Sequence, residues 1–481
     1  MDYEAVIGLE VHAQQLTSTK IFCGCSTEFG KPPNTNVCQV CLGMPGVLPV
    51  LNRQVVENSI KTSLALNLSI NRESIWERKN YFYPDLPKGY QISQFAYPLA
   101  ERGWLDIRVE GEEKRIGITR LHMEEDAGKL VHSEDAFSSA EASFVDLNRA
   151  GVPLMEIVSE PDIRSPREAA AYMRALRSIL VYLGVCDGNM EEGSLRCDAN
   201  VSIMPKGSDT LGTRTELKNM NSFRNVERAL EYEIGRQIRV VEGGGHIVQE
   251  TRLWDDKAGK TLPMRGKEES HDYRYFPDPD LLPLVVEEEW TERLGTELPE
   301  LPYEKMDRFA SDYGIPAADA EVLVAELALA DYYEDTVKEG ADAKKAANWI
   351  MAELMRELKN DDRPLSECPV RPAQLAKMIK MIESGEITGK IGKKVFSEMY
   401  ASGKDPDVIV DEKGLKPMAD TGEVEEIIRK VVSENPKQVE QYKAGKTKVV
   451  GFFVGQVMKA TGGKADPKSV NELLTRILDE A

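Results

Sequence analysis

The feature that most limits the fold is a period-two alternation that carries charge. Tyr3–Ala13 reads YEAVIGLEVHA. Val6, Ile7 and Leu9 are apolar, and the alternation puts Glu10 and His12 side by side on one face of a strand. The pattern recurs. Cys197–Ile203 places Asp198, Asn200 and Ser202 on one face, and Thr213–Asn219 sets Thr215, Leu217 and Asn219 against Arg214, Glu216 and Lys218. Strands with one polar face suit antiparallel sheets, which can leave one side open to solvent or ligand. From Leu301 the strand signals nearly vanish, and the chain to about Lys404 is rich in Ala, Leu, Lys and Glu. The expected fold is α+β: an antiparallel sheet forming a concave floor, then all-α helical and tail domains, with a hinge near Lys404–Leu415.

Gly117–Glu160 concentrates the charge. Glu124, Glu125, Asp126, Asp146, Arg149 and Glu156 stand among strand-like residues, and unpaired buried charge is costly. One reading is an exposed acidic turn and a loop. The sharper one is a metal and phosphate site, with Glu124 and Glu125 on Mg²⁺ and Arg149 clamping a phosphoryl group.

Other segments frame this one. Asn52–Asn67 is helical by the spacing of Val55, Val56, Ile60 and Leu64. Arg78–Gln94 mixes bases, aromatics and prolines without a helical period, so it reads as a shaped loop leading into a strand. Its Lys79 and Lys88 could hold phosphate, or it is a surface loop. Leu105–Val109 and Arg115–Arg120 form a hairpin around Glu110–Lys114. Pro166–Leu183 is an amphipathic helix capped by Ser165. Val226–Val241 is a helix with Val226, Leu230, Ile234 and Ile238 at i+4 steps. No dinucleotide or Walker phosphate-loop pattern occurs.

Four of the seven cysteines cluster: Cys23 and Cys25, then Cys38 and Cys41, with twelve residues between the pairs. Two close pairs on a turn-rich loop can close a structural zinc site; the alternative is four free thiols. Cys186, Cys197 and Cys368 read as ordinary buried thiols.

The net charge is −20, which argues against non-specific nucleic-acid binding over the whole surface. The charge is uneven. Val408–Ala481 balances twelve basic against twelve acidic residues; within it, Lys437–Lys468 is net +5, and Arg371–Lys404 upstream is net +4. A polyanion is expected at this end. No apolar run reaches the ~18 residues of a membrane span, and no secretory leader is evident, so a cytoplasmic location is expected.

Long blocks in fixed order carry a resemblance: IGLEVHAQQL, RKNYFYPDLPKGYQISQ, GITRLHMEEDAGK, DLNRAGVPLMEIVSEPDIRSP, EEGSLRCDANVSI, TELKNMNSF, DYRYFPDPDL and GFFVGQVMKATGGKADPKSVNELL. End to end, the chain closely resembles the B subunits of the aspartyl/glutamyl-tRNA amidotransferases. The resemblance implies a catalytic cradle over residues 1–292, related in fold to glutamine synthetase and bearing the zinc loop 23–41. A helical domain over 293–407 and a YqeY-like, tRNA-binding tail over 408–481 follow. It implies ATP-dependent phosphorylation of the side-chain carboxylate of misacylated Glu-tRNA(Gln) or Asp-tRNA(Asn), then amidation by ammonia. The ammonia comes from an amidase A subunit through a channel, and a small C subunit completes a heterotrimer. The expected magnesium set is Glu10, His12, Glu124, Glu125 and Glu192. Lys79, Lys88, Ser93 and Arg149 are the expected ATP contacts. Glu125, Arg149, Asp198, Glu216 and Lys218 are the expected catalytic groups. Two other readings stay open: a tRNA-binding adaptor without catalysis, and a free-standing ligase for a small amino acid.

Overall fold

The structure is a computed structural model; it describes residues 2–132, 143–264, 273–415, 421–443, 449–461, 465 and 467–480. Two compact units divide after Leu301.

The first unit begins with β1 (Tyr3–Gln14), α1 (Arg53–Ala65) and four short strands: β2 (Ser69–Ile70), β3 (Glu73–Ser74), β4 (Glu77–Asn80) and β5 (Tyr90–Ser93). Then come β6 (Ala100–Val109), β7 (Glu112–Glu125), β8 (Lys129–His132), β9 (Ser143–Asp146) and β10 (Pro153–Ser159). Next are α2 (Pro166–Tyr182), β11 (Leu195–Pro205), β12 (Thr215–Lys218) and α3 (Phe223–Glu242). The unit closes with β13 (Thr251–Asp255), β14 (Lys260–Pro263), β15 (Phe276–Pro277), β16 (Leu284–Val285) and α4 (Glu288–Thr296).

Nine strands form one sheet in the order β14-β13-β12-β11-β1-β10-β7-β6-β2. Every pair is antiparallel except β12 with β13, which run parallel. The expected antiparallel floor thus has one parallel seam, because the long helix α3 intervenes and returns the chain in the same direction. One face is apolar: Leu9, Val11, Met155, Ile157, Leu121, Met123, Ala199, Val201 and Leu217 are all buried. Helix α2 supplies Tyr172, Met173, Leu176, Ile179 and Leu180 to the core, and α3 packs on β11. Burying each large aliphatic side chain is worth about 1.5–3 kcal/mol. A one-residue slip would exchange the faces, so the register is strongly fixed.

The β6–β7 turn is tighter than the sequence suggested. Val109 pairs with Glu112, so only Glu110 and Gly111 turn the chain, both at positive φ (54° and 88°). That is the favoured two-residue hairpin geometry. Helix α3 also departs from expectation. Ile234 and Ile238 are only half-buried, and its inner stripe runs Val226, Ala229, Leu230, Glu233, Gln237. Glu233 is tolerated there because Arg236, Arg252 and Thr261 satisfy it.

The second unit contains only helices among its described residues. A one-turn π segment at Ile350–Leu354 joins Ala343–Trp349 to Met355–Asn360. Thr421–Glu434, Val450–Ala460 and Pro467–Glu480 share a core of Val424, Ile428, Phe453, Val457, Leu474 and Leu478. Pro406–Glu412 packs instead on Gly389–Ser402 and Pro372–Glu383. The expected boundary at 407/408 lies within the helix Pro406–Glu412, and the one at 292/293 within α4. Lys437, Lys443 and Lys459 are exposed; Lys446, Lys448 and Lys464 lie outside the described residues. No described helix is long and apolar enough to cross a membrane.

Candidate functional site

The polar face of the sheet is where the registers of five strands bring charge together. His12 on β1 pairs with Glu156 on β10, which pairs with His122 on β7; Arg196 on β11 flanks His12. Four polar side chains thus stand in one row across adjacent strands. His12 Nε2 lies 3.4 Å from Glu156 and 3.6 Å from Glu124. His122 Nε2 lies 3.3 Å from Glu156. Ligand atoms of His12, Glu124 and Glu156 lie within 4.8 Å of one another. Two carboxylates and an imidazole at that spacing fit a divalent cation; the oxygens suit Mg²⁺ and the imidazole is the atypical donor.

Electrostatics tie the group together. Burial opposes the charge of Glu156, yet His122 and His12 hold its pKa well below the ordinary carboxylate value. Burial also opposes protonation of His12, but Glu156 and Glu124 raise its pKa overall. Lys79 on β4 faces the same cluster: burial lowers its pKa, but Glu124, Tyr275 and Glu156 raise it. Its ammonium lies 4.8 Å from the centre of the Tyr273 ring. Among the described residues no carboxylate comes within ion-pair distance of it.

One row further along, Glu10 aligns with Asp198, which neighbours Lys218 across β11 and β12. Lys218 Nζ is 2.5 Å from Asp198 and 3.0 Å from Glu216. Asn200 donates to Glu10 Oε1 at 2.9 Å. Burial, then Glu156, Glu216 and Asp198, raise the pKa of Glu10.

Other sequence-selected residues lie elsewhere. Glu124 and Glu125 do not act as a pair, because neighbours on a strand face opposite ways. Glu125 pairs with Lys88 and accepts from the Ile92 N–H at 2.9 Å. With Cys23, Cys41 and Gly151 it lines a cavity of about 70 Å³. Ser93 is buried and donates to Glu124 at 3.4 Å, which orients that carboxylate. Glu192 sits exposed on the turn before β11, its N–H bound to Asn189, and is not among the converging donors. Arg149 spends its guanidinium on the carbonyls of Ala127 (2.9 Å) and Gly128 (2.6 Å), beside Asp126 at 3.6 Å. Asp126 also binds Arg196 at 3.1 Å and Gln14 at 2.8 Å. The sequence singles out neither His122 nor Arg196, and it gives no metal role to Glu156. For His122 a signal existed: it stands two residues before Glu124, on the same strand face.

The four cysteines converge, with all sulfurs within 4.8 Å and Cys38–Cys41 at 4.0 Å. Tetrahedral zinc with Zn–S near 2.3 Å spaces sulfurs about 3.8 Å apart, so the donor set fits. The Cys23 thiol, then the Cys38 amide and the charge of Lys20, bring Cys41 down to about 4 against burial.

Residues 5–292 match the family model described as the GatB/GatE catalytic domain, and residues 331–478 match that of the GatB domain. The chain is 58% identical over 480 residues to a protein of Thermodesulfovibrio yellowstonii, covering 100% of both chains. It is 60% identical over 478 residues to one of Geobacter sulfurreducens, covering 99% of this chain and 100% of that one. It is 57% identical over 473 residues to one of Carboxydothermus hydrogenoformans, covering 98% of each. All three are named as the B subunit of an aspartyl/glutamyl-tRNA(Asn/Gln) amidotransferase.

Proposed function

We propose, for a chain that belongs to the GatB/GatE family of tRNA-dependent amidotransferase B subunits, that the polar sheet face is where the side-chain carboxylate of misacylated tRNA is phosphorylated and then amidated. The enzyme is an ATP-dependent ligase with glutamine as amide donor. The observation that carries the site assignment is the row His12–Glu156–His122, joined by Glu124 and faced by Lys79.

A carboxylate is a poor acyl donor, and conversion to an acyl phosphate cures this. A side-chain oxygen of Glu or Asp attacks the γ-phosphorus of ATP, and ADP leaves. Ammonia then attacks the acyl carbon, and phosphate leaves with the carboxylate oxygen. Phosphoryl transfer needs positioning and cations more than covalent help. His12, Glu124 and Glu156 would hold Mg²⁺, which supplies charge neutralisation at the phosphate oxygens. Ser93 and His122 orient the two carboxylates. Lys79 takes a phosphate oxygen. Arg149 and Arg196, gathered by Asp126, form a cationic corner beside the row. Glu10, whose raised pKa suits a base, accepts the proton released as ammonia attacks. Lys218 keeps Asp198 and Glu216 in place around it.

The finer reading extends to the rest of the molecule. The four cysteines hold structural zinc; the cradle is related to glutamine synthetase; an amidase A subunit and a small C subunit complete a cytoplasmic heterotrimer. The C-terminal helices bind tRNA, a role the exposed Lys437, Lys443 and Lys459 support. The test is transamidation by the assembled enzyme with ATP, glutamine, and either Glu-tRNA(Gln) or Asp-tRNA(Asn). Amide formation must require ATP; amide formed without nucleotide would overturn the reading.

A further inference from the structure

The segment between the two cysteine pairs clasps the loop that carries Arg149. Asn34, at a positive φ of 60°, receives the Leu147 N–H on its side-chain oxygen at 2.8 Å and donates to the Val145 carbonyl at 2.9 Å. Its own N–H donates to Asp146 at 3.1 Å. The Asn36 N–H donates to the Asn148 side chain at 2.8 Å, and Asn148 donates back to the Pro32 carbonyl at 2.8 Å. On the inner side, the Ile21 N–H holds the Gly151 carbonyl at 3.0 Å, and the Gly151 N–H holds the Asp126 carbonyl at 2.8 Å.

Lys20 joins the two halves. It is fully buried, and its ammonium reaches the Asn36 carbonyl (2.7 Å), the Cys41 sulfur (3.7 Å) and the Leu147 carbonyl (3.5 Å). Among the described residues no carboxylate lies within 4.0 Å of it. A buried ammonium needs a counter-charge. The one at hand is the thiolate that Cys41 presents to a metal. A metal held by the four cysteines therefore also fixes Lys20, and through Lys20 the Leu147 carbonyl, two residues before Arg149.

We propose that the cysteine loop is a positioning device for the Asp126–Arg149 corner, with Lys20 and Asn34 as its positioning residues. Metal retention and order of the 145–151 loop are then linked, and the linkage acts equally in both directions. Calling that corner part of the phosphoryl site rests on the function proposed above; the linkage itself does not.

The experiment uses the assembled amidotransferase and two readouts independent of catalysis: hydrogen exchange over residues 143–152, and the rate of zinc release to a chelator. Stripping zinc should speed exchange of the Leu147 and Gly151 amides at least about tenfold, with the β1 amides unchanged. Asn34→Gly keeps the positive φ accessible and removes only the side-chain bonds. It should still bind zinc, release it several-fold faster, and show most of the exchange increase before stripping. Lys20→Met should release zinc faster in the same way. Unchanged exchange after stripping, or an unchanged zinc release rate in Asn34→Gly, would overturn the proposal. The KM for ATP, measured alongside, separates the two readings. If exchange and zinc release are coupled but the KM of Asn34→Gly stays at the wild-type value, the device stands and the corner is not part of the ATP site.

Discussion

Glu156→Gln keeps the shape of the side chain and removes its charge from the centre of the row. Glu156 Oε2 lies 3.4 Å from His12 and 3.3 Å from His122. Losing a hydrogen bond to a charged group costs about 1.5–3 kcal/mol. The variant should therefore melt earlier, and a melting curve establishes that it is folded at the assay temperature. Partners one shell beyond a metal change its affinity by about 10–100-fold, so a lost ligand should do at least as much. The assay is ATP-dependent transamidation as a function of Mg²⁺ concentration. The half-saturating Mg²⁺ concentration should rise about 100-fold, while glutamine hydrolysis by the proposed amidase partner persists. Glu192→Gln, on its exposed turn, should stay within about twofold of wild type, as surface changes do. A folded Glu156→Gln with unaltered Mg²⁺ dependence, or a larger effect from Glu192→Gln, would refute the assignment.

Lys79→Met removes a cation that faces the carboxylate row and has no ion-pair partner among the described residues. The KM for ATP should rise and kcat fall about 100-fold or more, with glutamine hydrolysis retained; steady-state kinetics read both. Cys38→Ser with Cys41→Ser should abolish bound zinc by elemental analysis and lower the melting temperature, with the rate of transamidation falling less than in Lys79→Met. A chain ending at Leu415 keeps every residue of the polar face. It should hold charged tRNA more weakly in a filter-binding titration, with a shallower dependence on salt.

Much of the sheet was legible because strand alternation is a local property. β1, β11 and β12 announce a polar and an apolar face in a few residues each. What was not legible is register, which joins residues far apart in sequence. His12 meets Glu156 across 144 positions only because β1 and β10 pair as they do. Glu124 and Glu125 were grouped by adjacency, though the same alternation separates them. Glu192 matched on chemistry alone, and nothing local signals that its turn points into solvent. The parallel seam at β12–β13 depends on where α3 returns the chain. The inner stripe of α3 turned polar because Arg252 and Thr261, far along the chain, meet Glu233.

Phosphorylation of the side-chain carboxylate before amidation is tested most directly by isotope transfer. Both side-chain oxygens of Glu-tRNA(Gln) are replaced by heavy oxygen, and the assembled enzyme is run with ATP and glutamine. The released inorganic phosphate is analysed by mass spectrometry. If an acyl phosphate forms, its carbon–oxygen bond breaks on amidation, and each phosphate carries a single heavy oxygen from the carboxylate. Phosphate that is wholly unlabelled while amide accumulates would contradict the mechanism.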